Sequence, residues 1–355
     1  MGGGPIQPAT RVMVVGDSIS HGREGDWTWR YRIWEWFRQN NIPVVFVGPH
    51  RGTIPPPPDT LARDGGYALD VSQEFLDDCY HFSWWGKQAY QVKDEIGKQV
   101  ATYKPDLCLV ELGFNDIGWG ISDPRGTIES VRALITEART YNQALKFAIA
   151  NVPQRTIVPG MGDLPARVDT YNELLAQAIP EWNQPSSPVV LVHLCENYLC
   201  REGSYDGLHP GALGEYEIAQ AFSRTLLSPA FSLADNSTKE LEIPLPVPDR
   251  LLTAPVNLEA VASNPNSDGW SRLTVTWDFV YGAYSYDVRL KPGPDQGWWV
   301  WHPVQDIPYQ LWCSPMDLPT PEWKVQVRAT AGDHVTSGNS QVVNIIIRHE
   351  RDHGT

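Results

Sequence analysis

A hydroxyl, an imidazole and a carboxylate recur in this chain at spacings that suit nucleophilic catalysis. Gly16-Asp17-Ser18 follows the apolar run Arg11-Val-Met-Val-Val15. That run reads as a strand, so Ser18 falls at a strand's carboxyl end, where open α/β sheets gather their ligands. A serine hydroxyl is weak alone and needs a base within hydrogen-bond reach. Asp206-Gly-Leu-His209 offers one. This spacing lets one short loop present both groups: the imidazole takes the Ser18 proton, while the Asp206 carboxylate fixes the ring's tautomer and stabilises the imidazolium. Gly113-Phe-Asn-Asp116 follows a second apolar run and reaches the same sheet edge. The Asn115 amide is therefore the expected donor to a developing oxyanion, with the backbone N–H groups of Ser18 and Gly86 as the other two.

Taken singly, these pieces are common. Gly-Asp-Ser also makes turns and helix caps, and a lone histidine is more often a packed residue than a base. Their order and setting carry the reading. Strands are expected at 11–15, 44–47, 107–112, 147–152 and 189–194, because near-continuous apolar runs of that length suit strands buried on both faces. Segments around 27–40, 87–101, 127–142, 166–182 and 212–227 read as helices between them. The expected fold is α/β: a doubly wound, mainly parallel five-stranded sheet flanked by helices.

The alternation stops near Pro229, and 231–253 reads as a linker, since Ile243-Pro-Leu-Pro-Val-Pro-Asp cannot sustain regular structure. From Ala254, period-two runs such as Leu273-Thr-Val-Thr-Trp277 and Trp323-Lys-Val-Gln-Val-Arg328 indicate an all-β sandwich over 254–349. The expected division is a catalytic domain over 1–230, the linker, and this sandwich, in keeping with a length of 355 residues. Between Gly48 and Gln88 runs a long excursion containing Pro55-Pro-Pro-Pro58, rigid whether or not it meets substrate.

With 42% hydrophobic and 20% charged residues, the chain has the balance of a soluble globular protein. A net charge of −14 argues against nucleic acid and anionic membrane as partners, because both reward clustered Lys and Arg. No run approaches the ~18 apolar residues of a membrane span. Five cysteines without a Cys-x-x-Cys pair give no support to a zinc ribbon or a thioredoxin-like site; Cys195 and Cys200 could close a small disulfide loop or remain two buried thiols. His21, His50, His81 and His193 lack metal-ligand spacing, so no metal or cofactor is expected. The first residues lack a signal-peptide pattern, which implies an intracellular protein if Met1 is the native start. If a signal was removed ahead of it, the protein is secreted and Asn236-Ser237-Thr238 becomes a glycosylation site.

The blocks Gly16-Asp-Ser-Ile-Ser20, Gly86 within His81-Phe-Ser-Trp-Trp-Gly86, Gly113-Phe-Asn-Asp116 and Asp206-Gly-Leu-His-Pro210 stand in the order of the SGNH (GDSL) hydrolase superfamily. Over 11–227 the sequence resembles that superfamily, which has a flavodoxin-like sheet. Tyr31-Arg32 and Val44-Val-Phe-Val-Gly48 are similar to carbohydrate esterase family three, esterases that remove acetyl groups from xylan-type glycans. Ser83 departs from that branch's His-x-Gly-x-x-Gly, and Trp84 and Trp85 precede Gly86, making plain packing or a reshaped acyl pocket their two readings. Residues 254–348 are similar to a fibronectin type III domain, with Trp277 at its core position and Trp323 where its corner tyrosine usually stands. The segment with Trp298, Trp299 and Trp301 is expected to turn one side to the core and leave the other exposed.

The resemblance implies a serine esterase acting on a small acyl ester, such as acetyl, of a carbohydrate or other hydroxylated compound. The same machinery with an alcohol or amine acceptor would give an acyltransferase. A third reading, from another class, is a binding or scaffold protein with a vestigial hydrolase domain.

Overall fold

The structure is a computed structural model that describes residues 8–56, 63–157, 159–235, 237–264, 270–293, 296–304, 310–315, 318, 322–332 and 335–346. Much of the proline run, Asn236 of the sequon and both chain ends lie outside these. Two compact units emerge: one over most of the chain to Pro248, the other from Asp249 on, with 55–63, which are mainly outside the described residues, set aside.

The first unit alternates strand and helix. In chain order its elements are β1 (Thr10–Gly16), α1 (Ser18–His21), α2 (Thr28–Gln39), β2 (Val44–Phe46), α3 (Gln73–Asp77), β3 (Phe82–Ser83), α4 (Ala89–Tyr103) and β4 (Leu107–Glu111). Then come α5 (Phe114–Gly118), α6 (Pro124–Tyr141), β5 (Lys146–Ala150), α7 (Leu164–Trp182), β6 (Val189–Val192), α8 (Leu194–Asn197), α9 (Cys200–Gly203) and α10 (Ala212–Leu226). All five expected strands and five expected helices are among them. The sheet is parallel, in the order β2-β1-β4-β5-β6. β1 and β4 are buried along almost their whole length, which explains why both read as continuous apolar runs.

From β1 the chain moves outward to β2, then returns across β1 to β4. The carboxyl ends of β1 and β4 therefore flank the point where the strand order reverses, the crevice that doubly wound sheets use for ligands. Besides the short helices α1, α3, α5, α8 and α9, one strand escaped the sequence reading. The two-residue β3 pairs with the end of β1, Val15 opposite Phe82 and Gly16 opposite Ser83, and adds a sixth strand to the expected five. Two residues offer no periodicity to read; only the pairing defines them.

The segment expected as a linker carries no helix or strand among its described residues, yet it packs on the first unit through Pro248. Leu241 is buried there, its N–H donates to Ser223 Oγ (2.8 Å), and the Trp36 indole donates to the Lys239 carbonyl (2.8 Å).

The second unit is all-β: β7 (Glu259–Ala262), β8 (Leu273–Thr276), β9 (Ser285–Pro292), β10 (His302–Pro303), β11 (Leu311–Cys313), β12 (Glu322–Thr330) and β13 (Val343–Ile346). They form two antiparallel sheets, β11-β8-β7 and β10-β9-β12-β13. β9 and β12 alternate buried and partly buried residues along their length, the period-two pattern of strands with one face inward. Trp277, Trp312 and Trp323 close a single apolar core with Val275, Val288 and Val325. The expected core role for one side of the 298–301 segment is not realised. Trp298 and Trp301 are half-buried beneath the Arg289 guanidinium, 4.6 and 4.5 Å from the ring centres, while Trp299 is exposed with its edge against Trp323.

Candidate active site

Ser18 is the first residue of α1, directly after β1 and Asp17. Asp17 caps that turn, its carboxylate accepting the Ile19 N–H at 2.9 Å. Ser18 opens the helix, so its own N–H has no carbonyl one turn earlier to bond. The residue is only 7% exposed, and its Oγ lies 2.9 Å from His209 Nε2. The other ring nitrogen, Nδ1, donates to Asp206 Oδ2 at 2.7 Å. Residues separated by most of the first unit in sequence thus meet in one hydrogen-bonded line.

The loop that carries Asp206 and His209 is held from several sides. Asp206 Oδ1 accepts the N–H groups of Leu208 (3.0 Å) and His209 (2.8 Å), so the carboxylate folds its own loop while its second oxygen holds the imidazole. Burial raises its pKa, but the hydrogen bond and charge of His209 outweigh that and hold the carboxyl below its ordinary range. The Tyr198 hydroxyl donates to the Leu208 carbonyl (2.6 Å), and the Thr156 N–H to the Gly207 carbonyl (2.8 Å). Gly207 takes φ +86°, and a Cβ there would run into the Thr156 hydroxyl, so glycine alone fits.

Asn115 sits on α5, just past β4, and is buried. Its Nδ2 donates to the Lys87 carbonyl (2.9 Å) and, at greater length, to Asp17 Oδ2 (3.3 Å). Asp116 beside it accepts the N–H groups of Ala89 (2.8 Å) and Tyr90 (2.9 Å), the first turn of α4. Together they fasten the segment around Gly86 to the end of β4. β3 brings that segment alongside β1, and the Trp84 N–H continues the pairing to the Gly16 carbonyl (3.2 Å). Trp84 to Lys87 form a turn closed by the Lys87 N–H on the Trp84 carbonyl (3.0 Å), with Gly86 at φ +75°. A Cβ on Gly86 would stand 3.0 Å from the end of the Trp119 ring. The structure therefore gathers Ser18, Gly86, Asn115, Asp206 and His209 at one edge.

Behind the serine lies a buried carboxyl pair that sequence reasoning missed. Burial pushes Asp17 up to about 6, and burial followed by the neighbouring Asp17 charge holds Glu111 well above the carboxylate range. The Ser20 hydroxyl donates to Glu111 Oε2 (2.9 Å). An acidic residue ending a buried strand was the available signal.

Two aromatic contacts were also missed. Trp85 stacks on the His209 ring, with centroids 4.9 Å apart and planes 12° from parallel; Tyr205 lies near-parallel to it at 5.8 Å. Trp84 instead packs against His21 and His50, each at 4.9 Å. Burial lowers both histidines, which favours their neutral form against the Trp84 ring. Cys195 and Cys200 are free thiols, Cys200 buried and Cys195 partly so. Among the described residues no cluster of His, Cys, Asp or Glu could hold a metal ion, and no helix is long and apolar enough to cross a membrane.

Residues 12–222, a span that contains all five gathered residues, match the GDSL-like lipase/acylhydrolase family. The chain belongs to that family and is an ester hydrolase. Among solved structures it is similar to a mutant acetyl esterase with acetate ion (22% identity, TM-score 0.51, 63% of this chain and all of the other). A carbohydrate esterase family 3 protein from Talaromyces cellulolyticus gives the same identity, coverage and score. The Clostridium thermocellum family 3 carbohydrate esterase aligns at 21% identity and TM-score 0.50, over 64% of this chain and all of its own. At such identities the likeness establishes the fold. No curated protein matches the chain.

Proposed function

We propose that the protein is a serine esterase in which Ser18 is the nucleophile, His209 the general base and then acid, and Asp206 the residue that orients the imidazole. The observation that carries this reading is the unbroken line from Ser18 Oγ through His209 to Asp206, 2.9 and 2.7 Å. Ser18 attacks the ester carbonyl as its proton passes to His209 Nε2. The resulting imidazolium lies against the Asp206 carboxylate, which the low pKa keeps charged. His209 then protonates the departing alcohol and activates the water that releases the acid.

The oxyanion falls to the N–H groups of Ser18 and Gly86 and to Asn115 Nδ2. Both Nδ2 protons are engaged in the free site. The 3.3 Å bond to Asp17 is the weaker, and it is the one exchanged for the oxyanion, while the bond to the Lys87 carbonyl keeps the amide in place.

The esterases that share the fold make a short acyl group on a carbohydrate the first substrate to test. For the second unit, the three-stranded sheet facing a four-stranded one across a core that includes Trp277 supports a fibronectin type III-like sandwich. An ester panel varied in acyl length and alcohol, run beside Ser18→Ala, tests the reading. Activity on a small aryl acetate should vanish in the variant, and equal activity in both proteins would sink it.

A further inference from the structure

We propose that Trp85 is a positioning residue for the base: its indole face holds the His209 imidazole in the plane that aims Nε2 at Ser18. The inference rests on the reading of His209 as the base.

Hydrogen bonds fix His209 at two points, Nδ1 on Asp206 and Nε2 on Ser18. The second must break during turnover, once Ser18 becomes an acyl ester, and a ring then tethered through Cβ and the Nδ1 bond, with Tyr205 looser against it at 5.8 Å, can swing out of plane. The Trp85 ring, 4.9 Å away and within 12° of parallel, stands in the way of that swing. The indole is itself fixed. Its N–H donates to the Gly22 carbonyl (3.0 Å), and the Gly22 N–H in turn donates to the Ser18 carbonyl (3.1 Å), so the wall is tied to the turn that carries the nucleophile. Trp85 also precedes Gly86 in the same turn, so one short segment places the surface behind the base and an oxyanion donor.

An alternative use of the ring is electrostatic, since an aromatic face attracts the imidazolium that forms in the reaction. That effect is blunted here, because the Arg23 guanidinium lies 5.7 Å from the same ring and is permanently charged. Geometry is the larger contribution: a reacting group displaced by ~1 Å can lose on the order of a hundredfold in rate.

Two variants of matched bulk separate a flat wall from mere filling. Trp85→Phe keeps a planar face; Trp85→Leu fills space without one; both lose the bond to Gly22. With a small aryl acetate, Trp85→Leu should lower kcat by about 10–100-fold while KM stays within about twofold, and Trp85→Phe should recover most of the loss. Labelling of Ser18 by a fluorophosphonate, which also needs an aligned base, should slow in parallel. Thermal melts confirm folding, with Trp85→Met as a second non-planar filler should the leucine variant fail to fold. The inference is overturned if the leucine or methionine protein keeps wild-type kcat, if phenylalanine does no better than leucine, or if KM alone rises, which would make the ring a substrate contact. Activity surviving in Ser18→Ala would be a different failure, removing the base reading itself and this inference with it.

Discussion

Among the described residues, every buried Asp, Glu, His and Arg lies in the first unit, whereas the buried polar residues of the second are only serines and threonines. Among the described residues, none of the second unit's charged groups is fully buried. Arg328 bonds Asp287 (2.8 Å), and Arg289 bonds Gln326 and covers Trp298 and Trp301. A buried ionisable group costs stability unless partnered, so a fold retains such groups where their chemistry is used. In the first unit several collect at the carboxyl ends of β1 and β4: Asp17, Glu111 and Asp116, next to Ser18 and Asn115. One unit tolerates that cost at a sheet edge; the other has a sandwich core that needs no ions.

Substitutions of graded severity can break or sharpen this contrast. Ser18→Ala should lower ester turnover by about a millionfold, to the level left by binding and oxyanion stabilisation alone. Asp206→Asn keeps the shape but disturbs the imidazole tautomer and should cost roughly ten-thousandfold in kcat. Asn115→Ala should cost about 100–1000-fold, with the loss in kcat rather than KM. On the other side of the comparison, Trp301→Ala should leave kcat/KM unchanged within about twofold; a loss like that of Asn115→Ala would place chemistry in the second unit and end the contrast.

The smallest effect concerns pH. The Asp17 carboxyl is raised from its ordinary 3.8 to about 6, mainly by burial. Its folded pKa lies above the unfolded one, so its contribution to stability is complete below pH ~4 and is lost as pH climbs through ~6. Asp17→Asn keeps an oxygen to accept the Ile19 N–H and removes the Asp17 carboxyl, so the difference reports the coupled Asp17–Glu111 pair. The melting temperature of the wild type, measured against that variant, should therefore fall between about pH 4 and 6. A difference that stays constant across this window would mean that Asp17 is not held in the protonated state there.

Much of this was legible from the chain. The apolar runs that became β1, β4 and β5 are buried almost throughout, and a strand with nothing polar to face outward leaves a plain signature; β2 and β6, at the ends of the sheet, are only partly buried but share the same apolar runs. The punctuation after β1 and β4 marked Ser18 and Asn115 because loops at a strand's carboxyl end are where such a sheet can place reactive groups. β3 is too short for any period to register, and it is β3 that carries Gly86 to the site. The tryptophans of 298–301 were misjudged because alternation assigns sides only within a strand, and that segment lies between strands.

Residue type and local order, then, were determined by the sequence itself: a hydroxyl after a strand, a carboxylate three residues from an imidazole, an amide after a second strand. Which groups touch was decided by the tertiary structure. The 2.9 Å approach of His209 to Ser18, the indole of Trp85 against the imidazole and the pairing of Asp17 with Glu111 join residues far apart in the chain. Local periodicity reports how a segment meets solvent or core; it says nothing of which distant segment lies against it, because that depends on how the packed layers close around the sheet's reversal point.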